Sequence, residues 1–174
     1  HRSQLGEMGE RIQQDLNNMP ALASVKQYVE ISLVQDGLQV QLIEDSMGVF
    51  FPTGVATPSN RGRLLLALMG NEMRLLPNDI RIEGHTDARP YRGGADYTNW
   101  ELSADRANAA RRILLQHGVR ETQVSQIRGL ADRDLRDPTD RFAASNRRVT
   151  ITLLLDTLPP PLADAGLAGP RRDP

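Results

Sequence analysis

The residues best suited to do chemistry in this sequence lie between a predicted strand and a predicted helix. Residues 80–83 alternate apolar and polar side chains, which is typical of a β-strand. Asp87 follows the end of this strand, and Arg106 lies about two turns inside a helix predicted over 99–117. A strand end and a helix N-terminus would therefore meet here, where α/β proteins tend to bind polar ligands.

Asp87 and Arg106 could recognise a ligand without catalysing a reaction. Helical side chains lean toward the helix N-terminus, so the Arg106 guanidinium could bind a carboxylate there in a bidentate manner. The Asp87 carboxylate could bind an ammonium group, so the two would suit a ligand that carries both groups. The spacing is equally compatible with a plain ion pair between Asp87 and Arg106, and at this point both interpretations stand.

The residue types at the same place also fit two catalytic arrangements. Glu83, His85 and Asp87 would share one side of a continuing strand and could bind zinc or iron, as a metal-dependent hydrolase centred on His85 requires. Gly84 and the strand end argue against that continued alternation. Ser103, His85 and Asp87 are the residue types of a hydrolytic triad, but Ser103 lies inside a predicted helix, where we expect it to bond a local amide. We therefore predict a binding protein rather than an enzyme, with no catalytic residue, metal or cofactor.

Secondary structure that would position these residues can be predicted along the chain. Asp36-Gly37 is a hairpin turn signal, Thr57 is the predicted N-cap of the first long helix, and Thr98 with Glu101 fits a capping box at the start of the second. Two helices can cover one face of a mixed sheet, which predicts an α+β fold, a two-layer sandwich. The predicted elements are a hairpin over 28–44, helices over 58–76 and 99–117, and strands over 79–84, 124–129 and 146–155.

The two ends of the chain are predicted to flank a domain that spans residues 28–156. Apolar residues at helical spacing predict an N-terminal helix, and residues 1–27 are assigned as linker helices. This helix could pack on its own domain, join two copies of the chain, or fray. Residues 157–174 are rich in Pro, Ala and Gly and are predicted to be disordered. The apolar stripe consists of Leu5, Met8, Ile12, Leu16 and Met19.

Composition narrows the class of protein. The formal net charge is −1, which argues against a nucleic-acid partner because such proteins are usually clearly basic. The absence of cysteine excludes disulfides and thiolate metal sites. No apolar run approaches the roughly 20 residues that a membrane-spanning helix needs. The sequence begins with His1 rather than Met, so we expect a processed or truncated product.

Four short motifs occur in a fixed order along the chain. These motifs are Gly84-His85-Thr86-Asp87, Leu102-Ser103-Ala104-Asp105-Arg106-Ala107, Gly129, and Asn146-Arg147-Arg148-Val149. As a set they resemble the OmpA-like peptidoglycan-binding family, and the resemblance covers about residues 28–155. The sequences around them are most similar to the MotB branch of that family, the stator proteins of the flagellar motor.

The resemblance implies both a fold and a ligand. The fold would be that of the OmpA C-terminal domain, a mixed β-sheet with helices on one face, here with an added N-terminal helix. Domains of this family bind the stem peptide of peptidoglycan non-covalently in the periplasm. Asp87 and Arg106 match the positions that hold the free amino and carboxylate groups of diaminopimelate, which favours the zwitterionic ligand over the ion pair. Other matched positions line or support the same pocket: Thr86, Asn99, Leu102 and Arg147.

The MotB branch implies a place in a larger assembly. The chain would be the periplasmic part of an inner-membrane protein that anchors the stator to the cell wall. It would form a homodimer, and a single membrane helix upstream of this sequence would contact a MotA-like partner. The alternative within binding modules is an outer-membrane anchor of the OmpA or Pal type.

Overall fold

The structure is a computed structural model that describes residues 1–155, so the tail predicted at 157–174 lies outside the described residues. Within the described range the chain forms three helices, five strands and four short 3₁₀ turns. The helices are α1 (Arg2–Asn17), α2 (Asn60–Met73) and α3 (Asn99–Gln116). The strands are β1 (Val29–Val34), β2 (Gly37–Ile43), β3 (Ile80–His85), β4 (Val124–Gly129) and β5 (Arg148–Leu154).

The five strands form one mixed sheet in the order β1-β2-β5-β3-β4. Strands β3 and β4 are parallel, whereas the β1–β2, β2–β5 and β5–β3 pairs are antiparallel. The last strand therefore inserts between the hairpin and β3, which makes β5 the centre of the sheet. This arrangement confirms the predicted mixed sheet.

The two faces of the sheet differ in character. Along β5, Val149, Ile151 and Leu153 join the hydrophobic core beneath the helices. Their neighbours Thr150 and Thr152 lie on the opposite face, as the alternation of a strand requires. Since the three helices all contribute to the same core, the molecule has one helical layer on one sheet layer. The predicted α+β two-layer sandwich is confirmed.

Helix α1 packs onto this core. Leu5, Met8, Ile12 and Leu16 of the predicted stripe are fully buried, and Met19 is partly buried against the same cluster. The helix contacts α2 and the β1–β2 hairpin. The helix therefore packs on its own domain, the first of the three alternatives given above. Its assignment as a linker stays a prediction.

Two local sequence signals point to the wrong residue. The hairpin turn lies at Gln35 and Asp36 rather than at Asp36-Gly37, because Gly37 already pairs with Val34 and, across β2, with Leu154. The cap of α2 is Ser59 rather than Thr57. The Ser59 hydroxyl accepts a hydrogen bond from the Gly62 amide at 3.1 Å and donates to the Val49 carbonyl at 2.6 Å. That second bond, to a loop residue ten positions earlier, lies outside the span of a capping pattern.

Two glycines allow α3 to approach the sheet closely. A Cβ on Gly84 of β3 would lie 1.9 Å from the Ser103 carbonyl oxygen, and one on Gly129 of β4 would lie 2.7 Å from the Ala104 Cβ. Any larger side chain at either position would push the helix away. The close approach brings the first two turns of α3 beside the carboxyl end of β3, where the candidate site residues lie.

Candidate binding pocket

A pocket of about 630 Å³ opens where β3 ends and α3 begins. Such a volume suits a small ligand or a short peptide segment. All six residues predicted to form a ligand site line it. The complete lining is Ser46, Thr53, Gly54, Thr86, Asp87, Arg89, Pro90, Tyr91, Arg92, Asn99, Leu102, Arg106 and Arg147.

The helix start that faces the pocket is fixed by its own residues. Thr98 is the N-cap of α3, its hydroxyl accepts from the Trp100 amide, and the Glu101 carboxylate accepts from the Thr98 amide at 2.7 Å. This is the predicted capping box, and it is confirmed. From this start Asn99, Leu102 and Arg106 follow at steps of three and four, which aligns them on one helix face.

Arg106 is almost completely buried and is held by neutral partners. Its Nε donates to the Val55 carbonyl at 2.9 Å and one Nη donates to the Pro52 carbonyl at 3.2 Å. Its guanidinium carbon lies 5.7 Å from the centre of the Phe51 ring. Burial lowers the pKa of Arg106, yet a guanidinium stays charged at neutral pH. The second Nη makes no hydrogen bond within residues 1–155, so a charged group with donor capacity remains in the pocket wall.

Asp87 pairs with Arg147 rather than with Arg106. Its Oδ2 lies 3.4 Å from Arg147 Nε, and its Oδ1 accepts from the Arg89 amide at 2.8 Å. The Arg147 nitrogen is close enough for charge attraction but is not aligned for a hydrogen bond. Over residues 1–155 no ion pair joins Asp87 to Arg106, so the plain pair considered from the sequence is absent. The two opposite charges line one pocket and remain separate.

The other predicted residues shape the walls. The Thr86 hydroxyl donates to the Asp87 carbonyl, and the Asn99 side-chain Nδ2 donates to the Arg89 carbonyl, both at 2.8 Å. These bonds fix the backbone that carries Asp87. Leu102 is buried and supplies an apolar wall. Arg147 donates to the Asp45 carbonyl at 2.7 Å and to the Thr53 hydroxyl at 3.1 Å, which ties the loop after β2 to the pocket.

Glu44 is an important residue that sequence reasoning missed. It is buried at the end of β2, and its carboxylate accepts from the Phe50 amide at 3.1 Å and the Phe51 amide at 2.9 Å. Burial raises the pKa of Glu44 to about 7, although both amides and the charges of Arg106 and Arg147 oppose the rise. Glu44 thus holds the segment whose carbonyls accept from Arg106. The only sequence signal was an acid that directly follows an alternating strand.

The loop between β3 and α3 supplies further lining that the sequence did not reveal. The Tyr91 hydroxyl donates to the Gly54 carbonyl at 2.9 Å, and the Tyr91 ring lies 5.1 Å from the Tyr97 ring. Arg89 and Arg92 lie on either side of Tyr91 and also line the pocket. Their contribution depends on the loop conformation, which local patterns do not determine.

The catalytic alternatives find no structural support. Within residues 1–155 no group of three His, Cys, Asp or Glu side chains could hold a metal ion. Glu83 instead lies 3.5 Å from Arg81 and 3.3 Å from Arg128. The Ser103 hydroxyl donates to the Trp100 carbonyl and accepts from the distant Ala131 amide, so its partner is long-range rather than the local amide expected. Burial and the nearby Arg148 lower the pKa of His85 to about 4.

Comparison with known protein families identifies the family to which this chain belongs. The profile of the OmpA family matches residues 50–148, more than half of the chain. The chain belongs to the OmpA family. It is an OmpA-like domain related to motility protein B, and the family is not enzymatic.

Individual relatives agree with this assignment. The chain is 36% identical over 157 residues to motility protein B of Escherichia coli K12, an alignment that covers 88% of the chain and 50% of that protein. The OmpA-family chain therefore spans about half the length of this relative. No helix within residues 1–155 is long and apolar enough to cross a membrane.

Two solved structures share the fold. A MotB-like protein from Desulfovibrio vulgaris superposes with a TM-score of 0.67 at 22% identity, over 88% of this chain and 98% of that one. The periplasmic domain of a MotB gives a TM-score of 0.63 at 20% identity, over 78% and 74% of the two chains. At these identities the agreement concerns the fold alone.

Proposed function

We propose that the pocket binds the diaminopimelate-containing stem peptide of peptidoglycan non-covalently. Asp87 would bind the free ammonium group, and Arg106 would bind the free carboxylate. The observation that carries this proposal is that the buried Asp87 carboxylate and the buried Arg106 guanidinium line one pocket without pairing with each other. A ligand with one amine and one carboxylate can satisfy both at once.

The hydrogen bonds of Arg106 refine how a carboxylate would bind. Two of its nitrogens already donate to Val55 and Pro52, so a bidentate grip would have to use the remaining Nη hydrogens rather than the Nε edge. At Asp87 the ligand ammonium would share the carboxylate with Arg147. Hydrogen bonds to charged groups contribute about 1.5–3 kcal/mol each, so the two contacts would give modest affinity per pocket.

This binding would anchor a flagellar stator to the cell wall. The relation to motility protein B supports this role, and a MotB periplasmic domain shares the fold. The full protein would be an inner-membrane protein with this domain in the periplasm, a MotA-like partner contacted by a membrane helix, and a second copy in a homodimer. Two pockets on a dimer would add avidity, so the anchor need not be strong at either one.

Co-sedimentation of the purified protein with peptidoglycan sacculi tests the proposal. Arg106→Gln and Asp87→Asn each remove one charge, and we expect each to weaken binding about tenfold or more. Arg61→Gln is a matched control, because Arg61 is exposed and lies outside the pocket. Circular dichroism must show that the variants are folded. Sacculus binding by folded Arg106→Gln and Asp87→Asn proteins at the level of the Arg61→Gln control would refute the assignment.

A further inference from the structure

The charges that line the pocket do not balance. Four guanidinium groups, those of Arg89, Arg92, Arg106 and Arg147, line it together with the single carboxylate of Asp87. Four positive charges against one negative leave an excess of three. A zwitterion with one amine and one carboxylate is neutral and would leave that excess unchanged.

Other acids near the pocket do not remove this excess. Glu44 lies behind the wall and its pKa is raised to about 7, so it carries only part of a charge at neutral pH. Asp105 of α3 accepts from the Tyr97 hydroxyl at 2.7 Å and lies outside the lining, as does Asp96 in the loop before α3. The local field is therefore positive, and fields of this kind favour anionic ligands.

Arg89 and Arg92 differ from the two inner arginines because, within the described residues, their guanidinium groups have neither an ion-pair partner nor a hydrogen-bond partner. Arg147 faces Asp87, and Arg106 is held by two carbonyls. The side chains of Arg89 and Arg92 are exposed, and within residues 1–155 neither forms an ion pair. They carry the part of the excess charge that is free to meet a ligand.

The backbone nevertheless fixes where these two side chains begin. The Arg89 amide donates to Asp87, and its carbonyl accepts from Asn99. Tyr91, between the two arginines, is tied to the Gly54 carbonyl across the pocket. The loop is therefore held on both sides of the pocket entrance. Arg89 and Arg92 lie at the edge of that entrance, the lip of the pocket, on a backbone that is fixed by these bonds.

We infer that Arg89 and Arg92 make the pocket selective for stem peptides that carry additional free carboxylates. This inference rests on the proposed function and specifies its substrate class. The stem peptide has carboxylates besides the one assigned to Arg106, such as the α-carboxylate of its γ-linked glutamate. Conversion of such a carboxylate to an amide removes one negative charge and leaves the shape almost unchanged. The pocket therefore distinguishes the free acid from the amide.

Calorimetric titration with two synthetic peptides tests this inference. One is the tripeptide Ala-γ-Glu-diaminopimelate with all carboxylates free, and the other has the glutamate α-carboxylate amidated. We expect the unchanged protein to bind the free acid about fivefold more tightly at low salt. That preference should shrink as salt rises, because the contacts at the lip are exposed.

The variants separate the lip from the inner pocket. Arg89→Gln combined with Arg92→Gln should lower the affinity for the free acid to that of the amide, whereas Arg61→Gln should keep the preference. Equal binding of both peptides by the unchanged protein, or a preference that survives the double substitution, would overturn the inference while the proposed function stands. Failure to bind either peptide would overturn both. Inorganic phosphate that binds through Arg89 and Arg92, with no preference between the peptides, would assign the arginines to phosphate and also overturn it.

Discussion

At the scale of single residues, Glu44 and His85 are buried titratable groups with pKa values displaced in opposite directions. Burial raises the pKa of Glu44 from 4.5 to about 7, and it lowers the pKa of His85 from 6.5 to about 4. In both cases the buried side chain favours its neutral form. The two groups therefore act on stability in opposite senses over overlapping ranges of pH.

The sign of each effect follows from proton binding. Between pH 4.5 and about 7 the folded protein holds a proton on Glu44 that the unfolded chain has lost, so this residue makes stability fall as pH rises. Between pH 6.5 and about 4, His85 is protonated in the unfolded chain but stays neutral in the folded protein. This residue therefore makes stability fall as pH drops. Each effect amounts to roughly 3 kcal/mol across its range.

We predict that substitution of either residue removes that residue's own contribution to the pH dependence of stability. Relative to the unchanged protein, Glu44→Gln should gain stability as pH rises from 4.5 to 7, and His85→Gln should gain stability as pH falls from 6.5 toward 4. Urea unfolding at four pH values between 4.5 and 7.5 measures these differences. A constant difference in free energy of unfolding between variant and unchanged protein at all four values would contradict the assigned pKa shift.

At the scale of elements, the packing of α3 against β3 and β4 determines the geometry of the pocket. The helix lies close because Gly84 and Gly129 have no side chain at the contact. Asp87 follows β3 and Arg106 belongs to α3, so the separation of the two charges depends on this contact. A change that moves the helix should therefore affect stability and binding together.

We predict that Gly84→Ala destabilises the protein by about 3 kcal/mol, because its Cβ would overlap backbone that cannot rotate away. Sacculus binding by the remaining folded protein should also fall. Gly6→Ala is the matched control: Gly6 is helical in α1 and has no atom within 4 Å of an added Cβ. That substitution should stabilise by about 0.5–1 kcal/mol. Thermal and urea unfolding measure both, and equal effects of the two substitutions would contradict the packing account.

At the scale of the whole molecule, α1 shares its core with the rest of the domain. Four residues of its stripe are fully buried, so the helix contributes to folding in addition to any role as a linker. A helix that served only to join copies would leave the isolated domain equally stable without these side chains. This difference can be measured on a single chain.

We predict that Ile12→Ala costs about 2–5 kcal/mol, the usual range for a large-to-small change in a core. Glu10→Ala, on the exposed side of the same helix, should stay within about 0.5 kcal/mol. Urea unfolding, together with light scattering to follow oligomeric state, separates folding from association. Ile12→Ala that changes only the mass and leaves the unfolding midpoint unaltered would contradict the shared core.

The sequence predicted the elements well because their signals are local. Alternation revealed the strands, and the capping box at Thr98 and Glu101 located α3 correctly. The misassigned cap at Ser59 and the missed Glu44 both depend on bonds to the irregular segment after β2, whose conformation no helix or strand pattern determines. For the same reason the sequence grouped Asp87 with Arg106 but did not reveal that Asp87 faces Arg147.

The central claim is that Asp87 and Arg106 each recognise a different group of one ligand. Calorimetric titration with three stem tripeptides tests it most directly. One contains diaminopimelate, one contains lysine, which lacks the second carboxylate, and one contains 2-aminopimelate, which lacks the second amine. The unchanged protein should bind each incomplete peptide about tenfold or more weakly.

Each variant should lose the ability to recognise only one of the two ligand groups, the amine or the carboxylate. Asp87→Asn should no longer distinguish the peptide without the amine, and Arg106→Gln should no longer distinguish the peptide without the carboxylate, while each keeps the other discrimination. Equal affinity of the unchanged protein for all three peptides would contradict the account. So would variants that lose affinity for all three in equal proportion.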